Sequence, residues 1–299
     1  MLGWPQGKSP TRTLLQIHIP IFNSLIGHRR LNRLSGESLA ALCPTGAGSD
    51  ELQSRTMLVR MLQGSRGLRT IDLSRYHWAS KALGKAAVST IAALPQLEHL
   101  VLDGCAELED ADAAEILLGP AARGLVFLSL SGCCRLTDAT LQLAAARCPR
   151  LVGLRLRFCQ GSTGLSPRQG GPPPVPEDLP PQGMSLLGLL GVLRGSSRLG
   201  RLQELDLSNW TALDSNVFSA IASGLPLLRR LVLASCATSP PRKALAGDLL
   251  ELLAPLQHLR DLVSFPYRPE EHPCLLIPSA CHGGKGWEES TESVDTRRT

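Results

Sequence analysis

Nine cysteines are the residues of this 299-residue chain whose type first suggests chemistry. Cys105, Cys133, Cys159 and Cys236 recur in phase, and a row of thiolates would suit a soft metal or a redox pair. Tyr76 and Trp210 stand in the same phase, however, and neither ligates zinc as a thiolate does. The recurrent position therefore reads as structural: a small, weakly polar side chain that fills a tight corner after a strand and meets backbone groups. Cys133-Cys134 and Cys281-His282 lack paired ligand spacing. Seven histidines are dispersed, no glycine-rich phosphate loop follows a strand, and no carboxylate pair is marked out. The sequence thus nominates no catalytic residue, no metal ligand and no cofactor, and the chain is expected not to be an enzyme. An odd number of scattered cysteines does not resemble a disulfide framework. The longest apolar-rich stretch, Met184 to Leu193, is about half of what crosses a bilayer, and Ile17 to Ile26 is broken by His18, Pro20 and Asn23 with no cleavage site after it. A soluble protein of a reducing compartment, cytoplasmic or nuclear, is the expectation. Asn209-Trp-Thr211 is formally a glycosylation acceptor, but without a secretory signal it is not expected to be used.

The elements that position these residues follow from an internal period, sought first in a chain with 43 % hydrophobic residues but only 4 % aromatics. Six segments share the pattern Leu-x-x-Leu-x-Leu-x-x-Cys, with Ile71 in one of the Leu places. They begin at Leu68, Leu97, Leu125, Leu151, Leu202 and Leu228, and a shortened seventh is Leu259-Arg-Asp-Leu262. The starts are separated by 29, 28, 26, 51, 26 and 31 residues. Leu108, Leu136 and Leu213 each follow the cysteine-slot residue by three, and Pro95, Pro149 and Pro226 each stand two before the next start. In Leu-x-Leu the side-chain period is two, so both Leu face one side of a short strand. The following stretch, as in Thr137 to Arg147, has helical spacing, with Thr137 or Asp138 suited to cap its start and Pro149 to end it. Each unit is a strand, a turn and a helix with one Leu-lined face that it cannot bury alone. Stacking such units predicts an α/β leucine-rich-repeat solenoid, a horseshoe with a parallel β-sheet on the concave face and α-helices on the convex face.

The segment Cys133-Cys-Arg-Leu-Thr-Asp-Ala-Thr-Leu-Gln-Leu-Ala-Ala-Ala-Arg-Cys-Pro-Arg-Leu151 resembles the cysteine-containing leucine-rich repeats of F-box proteins. The likeness spans roughly 68–263 and is sharpest at 97–160 and 202–236. It implies a substrate-recognition subunit of an SCF-type, cullin-RING ubiquitin ligase, whose solenoid holds a target while an F-box holds the adaptor. No convincing F-box is present: Ile21-Phe-Asn-Ser-Leu25 is only a fragment of one. The alternative is a leucine-rich-repeat scaffold without ligase function.

Three regions depart from the period. Residues 1–67 read as degenerate repeats or an eroded F-box-like region: Leu14-Leu-Gln-Ile17-His-Ile19 is a weak strand template, Leu39 to Pro44 copies a helix end, and Asp50 to Gln63 reads as another outer helix. The repeat domain, 68–263, is interrupted at 160–183 by seven Pro and five Gly, a composition expected to form a flexible surface loop. Residues 264–299 are rich in Pro, Glu, Ser, Thr and Gly, and a disordered tail is expected. They offer no polar capping repeat, which suggests either a further covering domain or a variant terminus.

The side chains that point away from the core on the inner sheet are the ones free to bind. Like positions of parallel strands line up in columns, which sets Phe127 beside Arg155 and Arg157, followed by Glu204 and Asp206. With His99 and Arg230, they form a candidate partner-binding concave face, an exposed aromatic next to a basic and an acidic pair. Nucleic acid is not expected there, because the acidic pair repels phosphate. The net charge of +5 is too small to mark a dedicated nucleic-acid binder. The expected partner is a protein, with the chain a monomer within a larger complex.

Overall fold

The repeated Leu alternation forms three-residue strands, and the computed structural model stacks them in order of sequence. It describes residues 33–35, 51–74, 83–160, 183–195, 199–210, 213–234, 236 and 251–263. Tyr76, the strand template at 14–19, the helix-end copy at 39–44, most of the 160–183 insertion and the 264–299 tail lie outside the described residues. The strands are β1 (Arg33–Ser35), β2 (Thr70–Asp72), β3 (His99–Val101), β4 (Phe127–Ser129), β5 (Gly153–Arg155), β6 (Glu204–Asp206), β7 (Arg230–Val232) and β8 (Asp261–Val263). They form one parallel sheet with the strand order β1 to β8. Their central residues fall in register as a single row, Leu34, Ile71, Leu100, Leu128, Leu154, Leu205, Leu231 and Leu262. All but Leu262, on the last described strand, are buried.

Between successive strands run α1 (Glu51–Gly64), α2 (Lys85–Ala92), α3 (Asp110–Leu118), α4 (Asp138–Arg147), α5 (Leu186–Gly195) and α6 (Ser215–Gly224). Each helix packs on the next along the convex side. Helices need about 8–10 Å between axes, whereas strands need only about 4.8 Å. The stack therefore curves with the sheet inside. This is the predicted leucine-rich-repeat solenoid. Its first described strand was not recognised in the sequence: β1 pairs with β2, and α1 behind it packs against α2, so residues 33–35 and 51–64 build a repeat coil.

Thr137, not Asp138, caps α4, its side chain accepting from the Ala139 N–H at 3.3 Å. Asp138 instead reaches the following repeat, where its carboxylate accepts from the Ser185 N–H at 2.7 Å and the Ser185 hydroxyl at 2.6 Å. One repeat earlier Asp110 does the same, accepting from the Thr137 N–H at 2.9 Å and from the Thr137 and Thr140 hydroxyls. Helix starts are thus tied to one another in a polar ladder. Burial pushes the Asp110 carboxyl up, but these hydrogen bonds outweigh it and hold the pKa below its ordinary value. The contribution of Asp110 is therefore present above its unfolded pKa of about 3.9, and is lost as pH falls through the lower folded value.

The same ladder closes the interrupted repeat. Gln160 bridges Met184, and the Met184 N–H donates to the Cys159 carbonyl at 2.8 Å. Fully buried Met184 takes the place that Leu108, Leu136 and Leu213 hold elsewhere, and Ser185 takes that of Thr137. Residues 161–183 therefore span the gap that Arg135 alone spans in the preceding repeat. Room for the lock comes from Gly188, where an added Cβ would lie 2.0 Å from the Asp138 Cγ. Asp138→Ala is expected to cost about 1.5–3 kcal/mol by leaving the half-buried start of α5 without its charged acceptor. A urea titration checks this, and a midpoint equal to that of the parent would disprove the lock.

Candidate functional site

The recurrent cysteine slot is occupied as a structural corner. Cys133, Cys159 and Cys236 are buried, and each thiol donates to the carbonyl of the last strand Leu of the preceding repeat: to Leu102 at 3.2 Å, Leu130 at 2.9 Å and Leu207 at 3.0 Å. Trp210 occupies the slot once and makes the same bond from its indole Nε1 to Leu156 at 2.6 Å. Burial pushes the Cys105 thiol up to about 12, with the negative charge of Asp103 adding to it. Burial raises Cys133 and Cys159 as well. Burial thus favours the neutral thiol at Cys105, Cys133 and Cys159, the form in which Cys133 and Cys159 donate their hydrogen bonds.

The turn between strand and slot needs a left-handed backbone. Gly104 (φ 78°) and Gly132 (φ 74°) meet the requirement without a Cβ, and Asn209 (φ 66°) is among the side chains that tolerate it. Phe158 sits there too, at φ 56° and 47 % exposed. A strained aromatic at the lip of the sheet is a feature that the sequence reading passed over. Its signal was available, since Phe158 aligns with two glycines and an asparagine.

On the concave face the seven candidate residues fall into a central cluster and a flank. The His99 and Phe127 rings stack across β3 and β4 with centroids 5.9 Å apart and planes 25° from parallel. The Arg155 guanidinium lies over the Phe127 ring, 4.9 Å from its centroid. Phe127 pairs in register with Gly153, not with an arginine, and its ring covers that glycine so closely that a Cβ there would stand 2.5 Å from Phe127 Cδ2. Gly153 is the cradle that lets the ring lie down and Arg155 come across it. Arg155 is held in turn by Glu204, with its Nε and Nη2 both 2.8 Å from Glu204 Oε1. Arg157 faces Asp206 at 3.7 Å. Exposed Arg230 pairs in register with Glu204 at the edge of the cluster.

Hydroxyls support the carboxylates. Asp206 is buried and accepts from the Ser208 N–H at 2.9 Å and from its hydroxyl, as Asp72 does from Ser74 at 3.0 Å and 2.7 Å. Asp103 accepts from the Ser129 hydroxyl and from the Ser131 N–H at 3.1 Å. Burial still raises its pKa against those bonds. Exposed ion pairs of the Arg155–Glu204 kind contribute only about 0–1 kcal/mol to stability, and a cation over an exposed ring about 0.5–1 kcal/mol. The arrangement fixes side-chain direction more than it stabilises the fold. It presents an aromatic edge, two oriented guanidiniums and oriented carboxylates on one open face, a surface suited to gripping another molecule.

A leucine-rich-repeat solenoid is the class that this sheet, its outer helices and its slot define. No family model matches the chain, and no curated protein matches it. Among solved structures it is similar to an internalin from Listeria monocytogenes, at 12 % identity and a TM-score of 0.27, covering 85 % of this chain and 95 % of that one. The fold assignment rests on the chain's own repeat geometry. No helix among the described residues is long and apolar enough to cross a membrane.

Proposed function

We propose that the chain is a protein-interaction module that grips a target protein on the concave face of its sheet and carries out no chemistry of its own. The observation that supports this reading best is the His99–Phe127–Arg155–Glu204 cluster, an aromatic and an arginine held in fixed directions on an open surface. Aromatic and arginine side chains are the usual anchors of protein interfaces. Phe127→Ala combined with Arg155→Glu is expected to weaken target capture by about tenfold or more. Circular dichroism should remain that of the parent. Undiminished capture by a folded double variant would defeat the assignment of this face.

In the finer reading, the captured target is presented for ubiquitination, with the chain serving as the substrate-recognition subunit of an SCF-type, cullin-RING ligase in the cytoplasm or nucleus. The resemblance of the Cys133–Leu151 repeat to those of F-box proteins supports it. Tagged chain should then co-purify with an SCF adaptor and a cullin, and pulldowns that hold a target but neither of these would remove it. The scaffold reading draws support from β1 and α1, which form a repeat coil at 33–35 and 51–64, where an F-box within 1–67 would require packed helices. A target captured without adaptor and left unmodified would establish that second reading.

A further inference from the structure

Because every strand is parallel, all of them begin at one edge of the solenoid, and backbone hydrogen bonds bring the residues before successive strands into contact. The Arg229 N–H donates to the Gln203 carbonyl and the Arg260 N–H to the Arg229 carbonyl, each at 2.8 Å. Along the half of this edge that serves β4 to β8 stand Arg123, Arg147, Arg150, Arg201, Arg229 and Arg260, all exposed. None of the six forms an ion pair with a described residue. Of the other described arginines, Arg69 pairs with Glu98, Arg135 with Glu107 and Glu109, Arg155 with Glu204 and Arg157 with Asp206. Arg33, Arg60, Arg66, Arg194 and Arg230 form no ion pair with a described residue, so it is the gathering of six along one half-edge that sets these apart.

Helix dipoles account for part of the pattern, since Arg147 lies in the last turn of α4, where cations are favoured, and Arg123 in the short 3-10 turn Pro120–Gly124 that follows α3. They do not account for Arg150, Arg201, Arg229 and Arg260, which lie beyond the helix ends. Like charges gathered with no carboxylate in ion-pair contact repel one another, and an external anion relieves that repulsion. Every member is Arg, the side chain whose planar fork grips carboxylate and phosphate through paired bonds.

We propose that this edge is a second interaction surface, separate from the concave face, that binds an acidic polypeptide segment rich in Asp and Glu. A nucleic acid fits less well. Among the described residues leading into β4 to β8 there is no Phe, Tyr or Trp and a single imidazole, His258, so unpaired bases have little to stack on. The opposite edge, moreover, carries Glu107, Glu109, Asp112 and Asp214 on the same narrow body, which limits the field that a duplex would meet. Five strands at about 4.8 Å spacing make a row of roughly 20 Å, the reach of about six extended residues.

The test uses the full chain and a fluorescein-labelled peptide of about twelve alternating Asp and Glu residues, twice the length of the row. At roughly 100 mM salt the peptide should bind, and binding should weaken as salt rises. The triple variant Arg150→Glu/Arg201→Glu/Arg229→Glu should bind about tenfold or more weakly. A milder Arg150→Gln/Arg201→Gln/Arg229→Gln variant should fall between the two. Phe127→Ala should bind the peptide as the parent does, which separates failure of this surface from failure of the concave one. Equal binding by folded charge-reversed protein would overturn the proposal, and so would a short DNA duplex binding more tightly than the peptide.

Discussion

Replacing Trp210 with alanine is expected to destabilise the chain by about 3–5 kcal/mol, the range for truncating a buried aromatic. The indole is fully buried, and its Nε1 holds the Leu156 carbonyl at 2.6 Å. Truncation therefore opens a void the size of the ring system and removes the shorter of the two hydrogen bonds to the Leu156 carbonyl, which keeps only the Cys159 N–H at 3.3 Å. The cysteine slot supplies the internal comparison. Cys133→Ala removes one sulfur and one weak bond and should cost only about 1 kcal/mol. Trp210→Phe keeps one six-membered ring but loses the pyrrole ring and its donor, so it should fall between them. Urea midpoints of the three variants check the order. The account fails if Trp210→Ala costs no more than Cys133→Ala.

Leu128→Ala should cost a comparable amount, about 3–5 kcal/mol, toward the upper part of the range for Leu truncation. Leu128 is 1 % exposed and stands in the central row between Leu100 and Leu154. It also borders an apolar void of about 10 Å³ lined by Leu102, Ile116, Leu117 and Leu130. Deleting the isobutyl group enlarges a space that its neighbours already fail to fill, and the cost rises by about 24 cal/mol for each Å³ that stays open. Leu262→Ala, at the half-buried last place of the same row, should cost about 1 kcal/mol. Chemical denaturation of both variants measures the gradient, and equal losses at the two positions would show that the row is not one continuous core.

The strands and their order were legible because Leu-x-x-Leu-x-Leu records the pleat directly, one side chain to each face. β1 escaped notice because its template, Leu31-Asn-Arg-Leu34-Ser-Gly36, ends in glycine where the others end in Leu. The concave columns were legible for the same reason as the strands, which is why Phe127, Arg155 and Glu204 could be grouped. What placed the ring was a missing atom: Gly153 leaves the hollow in which Phe127 lies. An absence of side chain carries little signal in a pattern of side chains. The arginine edge was hidden for another reason. Its members fall in turns between the periodic positions, and a net charge of +5 averages them against the acidic residues of the opposite edge.

In one repeat the chain leaves at Gln160 and rejoins at Met184 with no loss of register. Where the preceding repeat crosses the same gap with Arg135 alone, the contour length of the crossing is evidently free, and the phase of the helix behind it is set by Asp138 gripping Ser185. The solenoid behaves like a zipper whose teeth, not whose tape, determine alignment. Glu107 and Arg135 mark the same crossing in the repeats before it, and they become natural ports at which foreign sequence can be spliced into the rim while the stack stays in step.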